Sequence, residues 1–310
     1  MNVSIGLSLI AFPTADELTK FLSGELLLSG LDPVFELSYE MNREYLQAAA
    51  ELPVRVMSVH APCPHTEVLP NLGSGCTKVL EESYHIIAES ARTAASFGAE
   101  VLVLHAGYAT DKRIYTDFER RREVLEAENR DHGYVLRKEG MICGPAYCES
   151  DIYRRHLDQI VINLPRAAAI CRDSGVVLAV ENINPRITYL LQRPEDLLYL
   201  SQKVSEVNFC LDFGHLWLSS IVHGFDFLKA VGRIIGTGKV ITTHIHNNHS
   251  SPNDLASLSD DHNGLSRGNI PLSRVLQILS RGNVERWIVE AKEEALENLI
   301  FLDQCRESLS

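Results

Sequence analysis

No apolar run in these 310 residues approaches the roughly 20 residues that a membrane-spanning helix needs, so nothing in the pattern calls for a bilayer. No CxxC pair occurs among the seven cysteines. Their odd number and scattered spacing argue against a disulfide framework and for reduced thiols in a cytoplasmic setting. The opening stretch MNVSIGLSLIAFPTADE lacks the basic region of a secretion signal and reads as a first strand. A basic surplus is missing too. Lys and Arg number 29 against 41 Asp and Glu, a net charge of −12, which disfavours broad contact with nucleic-acid phosphates. A local basic patch can still outvote that total. The chain has no low-complexity tract and no short tandem repeat of the solenoid kind.

What is present is a regular alternation of short apolar strands and longer helical patterns, the mark of repeated βα units around a parallel sheet. Strands are expected at 3–8, 34–38, 56–60, 101–105, 176–181, 208–212, 240–246 and 286–290. Helices are expected at 16–28, 42–51, 76–97, 151–173, 194–204, 224–235, 272–280 and 293–307. Pro194 followed by Glu195 and Asp196 makes a good helix start, since proline fits the first turn and acids suit the dipole there. Eight strand–helix units predict an α/β fold of the (β/α)₈ TIM-barrel kind, one domain over residues 1–310. An open doubly wound sheet is second choice, because no glycine-rich phosphate loop follows the first strand. One region breaks the rhythm. A long insertion at about 108–150, after the fourth strand, carries Arg113, Arg120, Arg121, Arg122, Arg137 and Lys138, the most basic part of an acidic chain. It reads either as a solvated helix with charge pairs, Glu119, Glu123 and Glu126 lying among the arginines, or as a cover for a substrate.

Marking the ionisable residue at the end of each strand exposes a second pattern. The third strand ends at His60, the fourth at His105 and the fifth at Glu181. The sixth gives Asp212 and, one turn on, His215. The seventh gives His244 and His246, then a polar loop with Asp260, Asp261 and His262, and the eighth ends at Glu290. In a barrel these ends open onto one face. Carboxylates and imidazoles crowded there repel or lose hydration unless something positive sits among them. Imidazole with carboxylate and no thiolate points to Zn²⁺, Mn²⁺ or Fe²⁺. His65, His85, His132, His156, His223 and His249 lie off the strand ends and read as surface or core residues. Cys63, Cys143 and Cys148 read as loop thiols, and Trp217 and Trp287 as packing residues.

The motifs ENIN at Glu181, DFGH at Asp212–His215, HIHNN at His244, DDH with GN following at Asp260–Asn269, and the last-strand Glu290 occur in that order. In this the chain resembles the xylose isomerase-like TIM-barrel superfamily, which includes endonuclease IV and many sugar isomerases and epimerases. The resemblance spans nearly the whole length except the insertion. It implies a metal enzyme. Sugar isomerases and epimerases of this kind hold one or two metals through positions matched by Glu181, Asp212, His244 and Glu290. The endonuclease IV branch adds ligands for up to three zinc ions, at positions filled here by His60, His105, His215, Asp260 and His262. On the resemblance, His244 is the seventh-strand ligand and His246 a substrate contact, with Asn247 standing where the family pattern has aspartate. Asn182, beside Glu181, and Arg267 are further substrate contacts on this reading.

Function then divides by the number of metals. Two or three zinc ions suit phosphoester hydrolysis, with Glu181, Glu290 and Asp260 bridging or orienting them. One metal, Mn²⁺ or another divalent ion, suits proton transfer in a sugar or sugar phosphate, with Glu181 and Glu290 as the acid/base pair and His215 or Arg267 holding the substrate. A non-catalytic metal-stabilised binding protein is the third reading. A small phosphorylated or sugar substrate is expected rather than DNA: Ala-Pro-Cys-Pro after His60 offers no aromatic–aliphatic wedge for opening a duplex.

Overall fold

A computed structural model describes residues 3–130 and 132–309. Met1, Asn2, Asp131 and Ser310, which the expected domain bounds include, lie outside the described residues. Eight parallel strands close into a barrel: β1 Ser4–Ser8, β2 Val34–Leu37, β3 Val56–His60, β4 Val101–His105, β5 Val177–Glu181, β6 Asn208–Asp212, β7 Val240–Ile245 and β8 Arg286–Val289. Each pairs with its neighbours in sequence, and β8 returns to β1, with Ser4 beside Arg286 and Leu7 beside Val289. Register fixes the mouth. His105 lies beside Glu181, and Asp212 beside His244, so the ionisable strand ends reach one level.

Helices cover the outside: α1 Ala15–Phe21, α2 Arg43–Ala50, α3 Thr77–Ser96, α4 Phe118–Asn129, α5 Asp151–Asp173, α6 Pro194–Lys203, α7 Phe213–His223, α8 Phe227–Ile235, α9 Leu272–Arg281 and α10 Ala295–Leu309. A wider turn at Leu22–Leu26 and a short helical end at Leu27–Ser29 follow α1. Leucines, valines and isoleucines from strands and helices form one large buried cluster between the layers. Among the described residues no helix is long and apolar enough to cross a membrane.

Two elements depart from expectation. The sixth strand does not run through a loop to residue 224. Asp212 caps α7, its carboxylate accepting the His215 N–H at 2.6 Å, so the helix begins at the next residue. The insertion is not one helix. Ile114–Tyr115 pairs antiparallel with Val68–Leu69, α4 follows, and a small hairpin joins Val135–Arg137 to Ile142–Cys143. Bridges from Tyr108 to Tyr189 and from Ile142 to Arg186 fasten the insertion to the loop after β5. That contact brings it over the barrel mouth.

Candidate metal centre

Glu181 sits at the middle of the mouth, fully buried at the end of β5. Its two oxygens face different partners. Oε2 lies 3.0 Å from His60 Nε2 and 3.2 Å from His105 Nε2. Oε1 lies 3.2 Å from His244 Nδ1 and 3.4 Å from His215 Nδ1. A carboxylate so placed has the geometry to bridge two cations.

Around it, donor atoms collect in three overlapping groups, the atoms of each within 4.8 Å of one another: His60, Glu181 and His244; Glu181, Asp212, His244 and Glu290; and His215, His246, Asp260 and His262. His105 belongs to none of the three but adjoins the first through Glu181 and sits edge-on to His60, with ring centroids 4.8 Å apart. All nine expected ligands are therefore brought together. His246 joins them. Its Nε2 lies 3.2 Å from Asp212 Oδ2, and its ring stacks on His262 at 3.9 Å. The structure thus places His246, expected as a substrate contact in the same mouth, among the donor atoms of the third group, with His244 one step deeper in the barrel.

The donor set fits divalent cations on its own chemistry. Asp212 Oδ2 and Asp260 Oδ1 are buried without a hydrogen-bond partner, although each has imidazoles beside it. Buried carboxylate oxygens left so are costly unless a positive charge offsets them. In the metal-free chain protons supply that charge. Burial pushes the Glu181 carboxyl up, but His244 and His105 outweigh it and hold it well below the carboxylate range. Burial likewise opposes ionisation of Asp260, and His262 and His215 overcome it. His215, disfavoured by burial, is raised well above the histidine range by Asp212 and Asp260. His262 is pushed up to about 9, Asp260 outweighing burial. His105 goes the other way, because burial outweighs Glu181 there.

Supporting residues are as informative as the donors. Glu36, in the middle of β2, is fully buried inside the barrel; its Oε1 lies 2.9 Å from His244 Nε2, and its Oε2 accepts the Ser58 hydroxyl at 2.7 Å. This turns His244 Nδ1 toward Glu181, Asp212 and Glu290, the outer-partner arrangement that orients ligand histidines. The pattern of strand ends does not pick out Glu36, whose signal is a lone carboxylate inside the apolar run VFEL. Asn182 is not free for a substrate. Its side-chain amide donates to Asp212 O and accepts from Asp212 N, locking β5 to β6. Asn184 lines the pocket instead and donates to Asp260 Oδ2 at 2.6 Å. Arg267 is exposed, paired with Glu293 and Glu294, and does not line the pocket.

Of the residues expected to be structural, His65 also lines the pocket, while several others have partners away from the mouth. Cys143 and Cys148 are free thiols that both donate to Gln192 Oε1. His156 bonds Gly73 O in the core, Trp287 is fully buried, and Trp217 packs edge-on against Phe227.

Gly214 explains the spacing of the DFGH motif. A Cβ there would lie 1.9 Å from His246 Cε1 and 2.3 Å from Nε2. Because His246 is fully buried and stacked, the ring has nowhere to retreat. G214A is therefore expected to keep the helical circular dichroism of the parent but bind divalent cations roughly ten- to hundred-fold more weakly. Competition with a colorimetric chelator measures this; unchanged affinity would mean that His246 plays no part in holding them.

The cavity above these donors measures about 620 Å³ and is lined by His60, His105, His215, Asp260, His262 and Glu290 on its floor. A family model described as xylose isomerase-like TIM barrel matches residues 24–305. The chain belongs to that family. A protein named "Probable endonuclease 4" from Mycobacterium ulcerans (strain Agy99) is 24% identical over 262 residues, covering 82% of this chain and 81% of that one. Of solved structures, a D-tagatose 3-epimerase-like protein superposes with a TM-score of 0.68 at 19% identity, covering 99% and 98% of the two chains. A Thermus thermophilus protein soaked with zinc chloride superposes with a TM-score of 0.60 at 18% identity, covering 99% of both. At these identities the structural likeness speaks to the fold.

Proposed function

We propose that this barrel is a divalent-metal-dependent phosphoester hydrolase with a multinuclear, zinc-type centre, acting on a small molecule. The observation that carries the reading is Glu181, whose two oxygens face different histidines, Oε2 toward His60 and His105 and Oε1 toward His244 and His215, as a bridging rather than a chelating carboxylate would. His60 and His105 would hold one ion with Glu181. Asp212, Glu290 and a seventh-strand histidine would hold a second, and His215, Asp260 and His262 a third. Bound there, divalent cations supply charge to neutralise a phosphate and to lower the pKa of a water.

The chain's own residues do the rest. Glu36 orients the His244 ring, Asn182 pins the Asp212 backbone and the His215 N–H holds the Asp212 carboxylate, so the donors are set before substrate arrives. Asn184 holds Asp260 in place on the pocket floor. The insertion, through Thr116, Asp117, Phe118 and Arg121, walls the mouth and limits the occupant to the size of a small metabolite. This enclosure is what favours a small substrate over a duplex.

A second reading, a metal-dependent sugar epimerase or isomerase, is favoured by the compact group Glu181, Asp212, His244 and Glu290, whose three carboxylates and one imidazole would hold a single cation with Glu181 and Glu290 as the acid/base pair. Elemental analysis of the purified protein separates the two. About three zinc ions per chain, with hydrolysis of bis(p-nitrophenyl) phosphate lost on chelation and restored by zinc, is the expected result. About one ion, with interconversion of ketoses and no hydrolysis, would replace it by the second reading.

A further inference from the structure

The pocket has a second wall of opposite charge. Arg121, in the first turns of α4, and Arg186, in the loop after β5, both line it together with Phe118, Tyr189 and Tyr39. Neighbouring arginines of the insertion are matched to carboxylates at the surface: Arg113 to Glu82, Arg120 to Glu67 and Arg122 to Glu126. Arg121 and Arg186 are not. Among the described residues neither has a carboxylate oxygen within 4.0 Å.

Their hydrogen-bond and ring neighbours include no carboxylate; burial pushes the Tyr189 hydroxyl's pKa up, but Arg121 and Arg186 outweigh it and bring it down. Arg121 donates to the Tyr189 hydroxyl at 2.7 Å and to Thr116 O at 2.6 Å, while its Nε is buried with no partner. Arg186 also has a buried Nε without a partner; its guanidinium lies 5.2 Å from the Phe118 ring centroid and 5.8 Å from that of Tyr189. Arg121 approaches the same Phe118 ring at 5.7 Å. Two part-buried guanidiniums thus share one phenylalanine and one tyrosine at the pocket wall, each with its Nε buried, and among the described residues no carboxylate pairs with either. Such a pair is costly, even in a chain with a net charge of −12, unless the pocket's occupant brings the anion. Planar forks with free N–H groups match the oxygens of a phosphate, which takes them two at a time.

We propose that Arg121 and Arg186 form a subsite for a terminal phosphate monoester of the substrate, set across the cavity from the carboxylate–imidazole floor. The substrate is then a sugar-sized molecule with two distinct ends. One end, bearing the bond that reacts, lies on the floor; the other carries the phosphate dianion held by the arginines and is not consumed. Tyr189 positions Arg121 and leaves the guanidinium's outer edge for the ligand. The proposal rests on the metal-centre reading only for which end reacts.

Calorimetry on the protein as purified tests it, with inorganic phosphate, glycerol 3-phosphate and D-ribose 5-phosphate as probes and glycerol and D-ribose as comparators. R186Q is the deciding variant because it leaves the Arg121 bonds to Tyr189 and Thr116 in place; R121Q is the second. Each is expected to weaken the phosphorylated probes about ten-fold or more and leave metal content unchanged. Chelated wild-type protein should retain this binding, and R186Q should weaken it there by the same factor. If phosphate binding disappears on chelation but survives R186Q, the floor holds the phosphate and the subsite is overturned. Equal binding of ribose and ribose 5-phosphate overturns it too. A protein lacking metal-dependent hydrolysis that still shows R186Q-sensitive binding would refute the proposed function and leave this subsite standing.

Discussion

Replacing Glu181 by alanine is expected to abolish metal-dependent turnover, by about 10³-fold or more, and to lower the metal content by more than one ion per chain. The reason is geometric. Oε2 serves His60 and His105, and Oε1 serves His244 and His215, so one truncation removes a donor from two of the ligand groups at once. Truncating Glu290, which enters one group, should cost fewer ions. E181Q keeps the shape and one oxygen but loses the charge, and should sit between the parent and E181A in metal content. Elemental analysis beside a steady-state assay reads both, with R267A as a control whose surface pairing predicts wild-type behaviour. An E181A protein that kept its full metal complement would remove the ground for a bridging carboxylate, and the single-metal epimerase reading would take precedence.

Much of this centre is legible in the sequence because a closed parallel barrel leaves little freedom. Once eight strands are located, their C-terminal ends must share a face, and residues such as His60, His105 and Glu181 meet without any knowledge of loops. What the pattern cannot give is phase. In the run Arg120–Arg121–Arg122 the three residues are chemically identical; only the cap at Asp117, which accepts the Arg120 N–H at 2.9 Å, sets the helix phase and turns Arg121 inward. Beyond a strand end the alternation of faces also lapses, so the pattern offers Asn182 as a substrate contact and passes over Asn184. Helix α7 is hidden for another reason. Nearly every residue from Phe213 to Val222 is buried, so it shows no amphipathic stripe, and its cap Asp212 reads as a strand-end ligand alone. Glu36 is concealed by the same closure that reveals the rest: on an open sheet a lone glutamate in VFEL faces water, whereas a barrel turns it inward to His244.

The metal-free protein is expected to lose stability between pH 6.5 and 9 in a way the metal-loaded protein does not. His262 is the clearest source. Its pKa is pushed up to about 9 in the folded chain, Asp260 outweighing burial, against about 6.5 when unfolded. A histidine raised in this way contributes its full stabilisation below 6.5 and loses it as the pH climbs through 9. The difference is worth roughly 3 kcal/mol, or a fall in Tm of about 5 °C for a protein of this size. His215, also raised, adds in the same direction. His105, whose pKa burial lowers, and His223, lowered to about 4 by burial, act below pH 6.5 and leave this window untouched. Buried thiols such as Cys63 and Cys171, pushed up to about 12 by burial, steepen the alkaline side in both forms, so the difference between forms is the quantity to read. With cations bound, the imidazoles are already neutral and have no proton to lose. Thermal scans of chelated and zinc-loaded protein at pH 6.5, 7.5 and 9 make the comparison, and H262Q should flatten the chelated series. If both forms follow parallel curves across that window, the imidazoles do not carry the protons that cations displace, and the proposed exchange of protons for metal at this centre is wrong.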